Sequence, residues 1–159
     1  MNVLYIGERL EDIERIYTDY SAAVYRLSVL ILRDRYAAED VTQDCFVRLM
    51  RQNGFNSEGH VKAWLLTVAR NLCFGMLKRR NRSVPLNEHI PATESGRQVL
   101  EELYRLREDD RAAVYLFYYE GYASREIAEM WGATDAAVRA RLKRARKNLK
   151  ELLEDVDDE

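Results

Sequence analysis

The sequence is short of helix breakers. Seven glycines and two prolines among 159 residues are too few for the closely spaced turns of a β-sandwich or barrel. Histidine and cysteine are scarcer still: His60, His89, Cys45 and Cys73 are the only ones. With no C-x-x-C pair and no cluster at metal-ligand spacing, no metal or other cofactor is expected. Both cysteines stand in apolar surroundings and read as small buried hydrophobes. Phosphate-loop G-x-x-x-x-G-K, nucleophile-elbow G-x-S-x-G and His-carboxylate-metal patterns are all missing. That leaves catalysis without residues, and a non-enzyme is expected. No apolar run approaches the roughly 20 residues needed to cross a bilayer. The N-terminus lacks the basic and apolar segments of a secretory signal. The expectation is a soluble, cytoplasmic, helical protein with no direct membrane insertion.

Net charge is equally unassertive, at -2 from 25 Lys+Arg and 27 Asp+Glu. Its distribution is not. Residues 61–82 carry six bases and no acid, and residues 132–150 carry seven bases and one acid. Residues 83–110 carry seven acids against three bases, and the last nine residues hold six acids. Two strongly basic segments are therefore masked in the total by acidic stretches.

Pro85 and Pro91 both lie in residues 83–96, which have no sustained apolar period and read as a short linker. The fold class expected is all-α, with two small helical domains at about 8–82 and 97–153 and an acidic tail at 154–159. In the first domain, Ile13, Ile16, Tyr17, Tyr20, Val24, Leu27 and Ile31 keep helical spacing. After a polar turn at Arg33–Tyr36, a second helix from near Ala37 puts Val41, Cys45, Phe46, Leu49 and Met50 on its inner side. The Asn53–Gly59 stretch breaks it, with two glycines and two asparagines in seven residues. A third helix, about His60 to Arg80, carries Val61, Trp64, Leu65, Val68, Leu72 and Met76 as its apolar stripe. Trp64 on that stripe reads as core. The second domain opens with Val99, Leu100, Leu103 and Leu106; Asp109 or Asp110 then caps a helix through Phe117, which Gly121 ends.

Residues 124–153 have the pattern of a helix-turn-helix. A short helix, Ser124–Trp131, precedes a Gly132-Ala133-Thr134 turn and a long helix from Asp135 to about Leu153. Thr134 is suited to cap the second helix and Asp135 to its dipole. Val138, Leu142, Ala145 and Leu149 make the buried stripe, which leaves Arg139, Arg141, Lys143, Arg144, Arg146, Lys147 and Lys150 outside it. A helix with seven bases and one acid has almost no ion-pair partners of its own, so DNA contact is favoured over a merely solvated face. Six neutralised phosphates give a log-log salt slope of roughly -5.

Three blocks in order resemble the extracytoplasmic-function (ECF) type of bacterial RNA polymerase sigma factor. They are Ala38-Glu39-Asp40-Val41-Thr42-Gln43-Asp44-Cys45-Phe46; Ala63-Trp64-Leu65-Leu66-Thr67-Val68-Ala69-Arg70-Asn71 followed by Lys78-Arg79-Arg80; and Glu120–Ala128 with Val138–Arg146. The layout is similar to minimal members that keep only regions 2 and 4. The resemblance implies promoter recognition as a dissociable subunit of core polymerase. Asp40, Gln43 and Asp44, which share one helical face, would dock on the clamp helices of the β′ subunit, with the β subunit as a further partner. Lys62, Arg70, Asn71, Lys78, Arg79 and Arg80 would meet the -10 element. The Asn53–Gly59 loop would receive a base flipped from the melted strand, at a cost of a few kcal/mol. Arg125, Thr134, Arg139, Ala140, Arg141, Lys143 and Arg144 would meet the -35 element. Relatives are commonly held inactive by an anti-sigma factor, so such a partner is implied as well.

Departures from the family pattern bear on the reading. Ala123 replaces a usual Ser or Thr, so Ser124 is expected to take over that cap one residue later. Ala137 and Ala140 stand where Thr and Ser are common, and Gly75 replaces a frequent Asp at a cost of about 1 kcal/mol relative to alanine. The competing function is a stand-alone helix-turn-helix regulator, which leaves the basic third helix and the Asp40-Gln43-Asp44 face without a role.

Overall fold

The computed structural model describes residues 10–52, 54, 55, 58–80 and 94–157, with side chains for all of them except 10, 58, 94–99 and 152–157. Seven α-helices are described: α1 (Leu10–Leu32), α2 (Arg35–Met50), α3 (Glu58–Arg79), α4 (Glu94–Arg105), α5 (Glu108–Val114), α6 (Ser124–Trp131) and α7 (Asp135–Asp157). The chain divides into two compact units, residues 1–89 and 90–159. No helix among the described residues is long and apolar enough to cross a membrane.

In the first unit each of α1, α2 and α3 packs on the other two. Ile16, Val24, Leu27 and Ile31 of α1 meet Val41, Cys45 and Leu49 of α2 and Val61, Leu65, Leu66, Ala69 and Cys73 of α3 in a buried core. The corner between α1 and α2 is tighter than the expected turn. Arg33 adopts a left-handed backbone (φ 55°), and its N–H reaches the Val29 carbonyl at 2.7 Å. Asp34 then accepts hydrogen bonds from the N–H groups of Tyr36 and Ala37 at 3.0 and 3.1 Å. This cap satisfies donors that the first turn leaves free, so α2 starts at Arg35, two residues before the expected Ala37.

Two faces differ from expectation. Met50 lies exposed at the end of α2, not on its inner side. On α3 the buried line is Val61, Leu65, Leu66, Ala69 and Cys73, while Trp64, Val68, Leu72 and Met76 are half-buried beside it. At 100° per residue the buried face is turned by roughly 70° from the expected stripe. The reason is size: Ala69 and Cys73 let the backbones approach, whereas the pattern of large apolar residues points to the flank. Trp64 on that flank meets buried Phe55 edge-on, with ring centroids 5.5 Å apart. Helix α3 begins at Glu58, so Gly59, expected in the loop, belongs to its first turn. Asn53, Asn56 and Ser57 of that loop lie outside the described residues.

The second unit comprises α4 to α7. Helix α4 begins inside the span read as linker, and most of that span is outside the described residues. Neither Asp109 nor Asp110 caps α5. Arg107 holds the cap position without a side-chain bond, and both acids sit in the first turn with Glu108, where the helix dipole favours them. Arg111 is buried and donates to the carbonyls of Tyr104 (3.1 Å) and Leu106 (3.2 Å), closing the α4–α5 corner. Beyond Val114 the helix widens into a π-helical turn, Tyr115–Tyr119, and Gly121 follows at φ 79°. The wider turn buries Tyr115 and Leu116 and leaves Tyr118 and Tyr119 exposed. Helix α7 continues to Asp157, into the expected tail; no glycine or proline interrupts it, and Glu and Leu are good helix formers.

Candidate nucleic-acid interface

Helix α6 begins and ends where its sequence pattern places it, and α7 begins at the expected Asp135. Gly132 closes α6 in the left-handed region (φ 62°). The next N–H, of Ala133, returns to the Ala128 carbonyl at 2.9 Å, the bond that completes this kind of helix end. Thr134 Oγ1 accepts from the Ala137 N–H at 3.1 Å and caps α7. Ile127 and Ala128 of α6 are buried, as are Val138, Leu142 and Ala145 of α7.

Ser124 does not take over the α6 cap. Ala123 keeps that position with no side chain to offer, and the Glu126 carboxylate accepts from its N–H at 3.0 Å, giving half of a capping box. The Ser124 hydroxyl instead donates to Asp135 Oδ1, tying the first turns of α6 and α7 together. The other oxygen of Asp135 pairs with Arg139 Nε at 3.3 Å. A hydroxyl read as a cap is a brace between helices, because the turn folds α7 back over the start of α6.

The bases of α7 separate into two groups around its buried stripe. At 100° per residue, Arg139, Lys143, Arg146, Lys147 and Lys150 fall on one flank and Arg141 and Arg144 on the other. The first flank is exposed; its Arg139 pairs with Asp135, and Arg146 reaches the Tyr118 hydroxyl at 3.2 Å. The second is held. Arg141 Nη1 lies 3.1 Å from Asp109 Oδ2 and 3.0 Å from Asp110 Oδ1, and Arg144 Nη2 lies 3.3 Å from the same Asp110 oxygen. Asp110 is 1% exposed. Arg141 was expected outside the packing, but it is half-buried and committed to α5. Sequence spacing carries no sign of a pair 31 residues apart. Arg125 and Ala140 are exposed.

In the first unit Asp40 and Gln43 are exposed on α2, and Asp44 is half-buried beside Arg48 at 3.5 Å. Tyr36, Asp40, Gln43, Val47 and Met50 all lie exposed at alternating spacings of four and three. They form one continuous stripe of the kind that lies along a partner helix. Spacing alone hides its apolar members, because Tyr36 reads as part of the turn, Met50 as core, and Val47 stands outside the inner-side pattern. On α3, Asn71, Lys78 and Arg79 are exposed and Lys62 is half-buried. Half-buried Arg70 lies over the Phe74 ring at 4.7 Å and donates to the Asn71 side chain at 3.3 Å. Arg80 is the exception among the expected contacts of the first unit. Its guanidinium donates to Asp34 Oδ2 at 3.0 Å and to the Leu32 carbonyl at 3.2 Å, so it clips the end of α3 to the α1–α2 corner.

Cys45 and Cys73 are fully buried. Burial pushes both thiols from an ordinary 9.0 up to about 12, which keeps them neutral and unreactive at neutral pH.

Two basic helical surfaces, one acidic-apolar stripe and a helix-turn-helix are thus distributed over two units. Residues 16–83 match Sigma-70 region 2, and residues 96–149 match Sigma-70, region 4. The chain belongs to the sigma-70 family, ECF type. Among relatives of this sigma-factor family, the probable RNA polymerase sigma factor RfaY of Xanthomonas campestris pv. campestris is 32% identical over 90% of this chain and 41% of its own length. The ECF RNA polymerase sigma factor BldN of Streptomyces coelicolor is 30% identical, over 89% of this chain and 60% of its own. The chain therefore spans less than two thirds of the length of either curated relative. The sigma factor RpoE of Bartonella quintana, solved in complex with the anti-sigma factor NepR, shares the fold. Its TM-score is 0.79 at 23% identity, over 91% of this chain and 98% of that one.

Proposed function

We propose that this sigma-family chain directs bacterial core RNA polymerase to specific promoters and has no enzymatic activity of its own. The observation that carries the reading is the pairing of two basic surfaces, on α3 and α7, with the exposed Asp40-Gln43 stripe on α2. A regulator working through its helix-turn-helix alone has no use for the stripe or for α3. In this reading the stripe from Tyr36 to Met50 lies along the β′ clamp helices, with Asp40 and Asp44 meeting basic groups there. Lys62, Arg70, Asn71, Lys78 and Arg79 face the -10 element. Arg125, Arg139 and Lys143 face the -35 element, with Ala140 offering a methyl group to thymine. The Thr134 cap fixes the helix start that reaches the bases, since recognition helices read base edges near their N-termini.

Opening the duplex needs no bond chemistry from this chain; polymerase performs synthesis. A cytoplasmic location follows from the function, and an anti-sigma factor is the class of protein that would regulate it. Reconstitution with bacterial core polymerase tests the reading. Promoter-specific transcription is expected from the wild-type chain and is expected to be lost in Asp40→Lys/Asp44→Lys, which should still fold. Absence of any association between the wild-type chain and core polymerase would refute it.

A further inference from the structure

Helix α7 carries more positive charge than its reading face uses, and the structure holds the surplus in place. Asp110 lies on α5, almost wholly buried, yet its Oδ1 receives two guanidinium groups from successive turns of α7, Arg141 at 3.0 Å and Arg144 at 3.3 Å. Asp109 adds a second carboxylate to Arg141 at 3.1 Å. The arrangement is what a phosphate would offer: oxygens accepting from arginines on a helix flank.

We propose that Asp110 is a positioning residue for DNA recognition, an internal stand-in for a phosphate that withholds Arg141 and Arg144 from the backbone and fixes the roll of α7. The inference rests on the DNA-binding reading of α7 given above. Its physical logic concerns a ratio. Cations free to meet phosphates strengthen binding to every sequence alike, whereas selectivity is the difference between correct and incorrect sites. Holding two of seven bases lowers the indiscriminate part. The same two bonds, on one side of α7, set the direction in which Arg139 and Lys143 on the opposite flank point. Arg144 is 53% exposed and borders a cavity of about 440 Å³ with Arg107 and Asn148, so it has room to swing outward once Asp110 no longer holds it.

The test uses the full chain, a duplex selected from a randomised pool by the wild-type holoenzyme, and a random duplex of equal length. Asp110→Asn keeps the shape and removes the charge. Its salt slope on random DNA should steepen by about 0.9 for the released Arg144, and by up to about 2 in Asp109→Asn/Asp110→Asn, which also removes the carboxylate that still holds Arg141. Discrimination between the selected and random duplexes should fall about tenfold, of the order of one mismatched base pair. Arg141→Gln, which leaves Asp110 with Arg144, should keep the wild-type slope, and Asp110→Asn/Arg141→Gln/Arg144→Gln should return to it. A bond that only stabilises the fold would lower Tm and weaken both duplexes together without steepening the slope, and that result overturns the proposal. So does a slope shallower by about 0.9 in Arg141→Gln, which would make Arg141 itself a phosphate contact; this variant decides the matter if Asp110→Asn fails to fold. A wild-type chain and holoenzyme without salt-dependent DNA affinity would overturn the promoter reading and this inference together. Wild-type binding with unchanged slopes in the single Asp110 variant would overturn this inference alone.

Discussion

Replacing Arg80 by methionine separates two roles for one side chain. The sequence offers it as a DNA contact beside Lys78 and Arg79; the fold gives it Asp34 and the Leu32 carbonyl. Arg80 and Asp34 are 21% and 17% exposed, so solvent screens the pair only in part. Hydrogen bonds to charged groups contribute roughly 1.5–3 kcal/mol and fully exposed ion pairs less than about 1 kcal/mol. The clip therefore contributes about 2 kcal/mol. At about 4–8 °C per kcal/mol for a domain of this size, Arg80→Met should lower the Tm of the first unit by roughly 8–16 °C. Asp34→Asn retains the cap oxygen and loses the charge, and a double-mutant cycle with Arg80→Met should return a coupling of about 1–2 kcal/mol. Asp34→Ala also removes the cap, for about 1 kcal/mol more. Calorimetry of the full chain measures these shifts, and DNA titration over a range of salt measures the other role. An unchanged Tm together with a salt slope shallower by about 0.9 would refute the clip and make Arg80 a phosphate contact.

Thr134→Ala removes the oxygen that caps α7 and should cost about 1 kcal/mol in urea unfolding, with Thr134→Ser close to wild type. Gly75→Ala should raise stability by up to about 1 kcal/mol, because the nearest atom to an added Cβ is the Arg79 guanidinium at 3.9 Å; a loss of stability would show that the glycine is required by packing. Gly132→Ala should cost about 1 kcal/mol from its positive φ alone, since nothing lies within 4 Å of an added Cβ. Native Cys45 and Cys73 should resist thiol reagents at pH 8 and react in denaturant; equal rates would contradict their burial. Their folded values near 12 lie above the ordinary 9.0, so the folded chain keeps protons that the unfolded chain releases. Their stabilising effect is complete below pH 9 and is lost as pH rises towards 12.

Much of the candidate interface is legible without coordinates. The α6 limits, the Gly132 turn and the Thr134 cap follow from local chemistry that acts within a few residues. So does the exposure of Asp40 and Gln43, which share a face because a helix repeats every 3.6 residues. Assignments that depended on distant residues fared differently. Met50 reads as inner by spacing and is exposed by the end of its helix. The buried face of α3 is set by Ala69 and Cys73, which pattern reading undervalues because small side chains carry little hydropathy yet permit close helix contact.

Charge shows the division most plainly. From the sequence alone come the helical class, two basic segments, the helix-turn-helix and the three blocks that resemble sigma factors, because periodicity, capping and motif spacing are local properties of the chain. Only the tertiary structure decided which cations are available. Arg80 is taken by Asp34, 46 residues earlier, and Arg141 by Asp110, 31 residues earlier. Whether a base faces solvent or a buried carboxylate depends on which helices the core brings together, and no count of charges along a segment contains that.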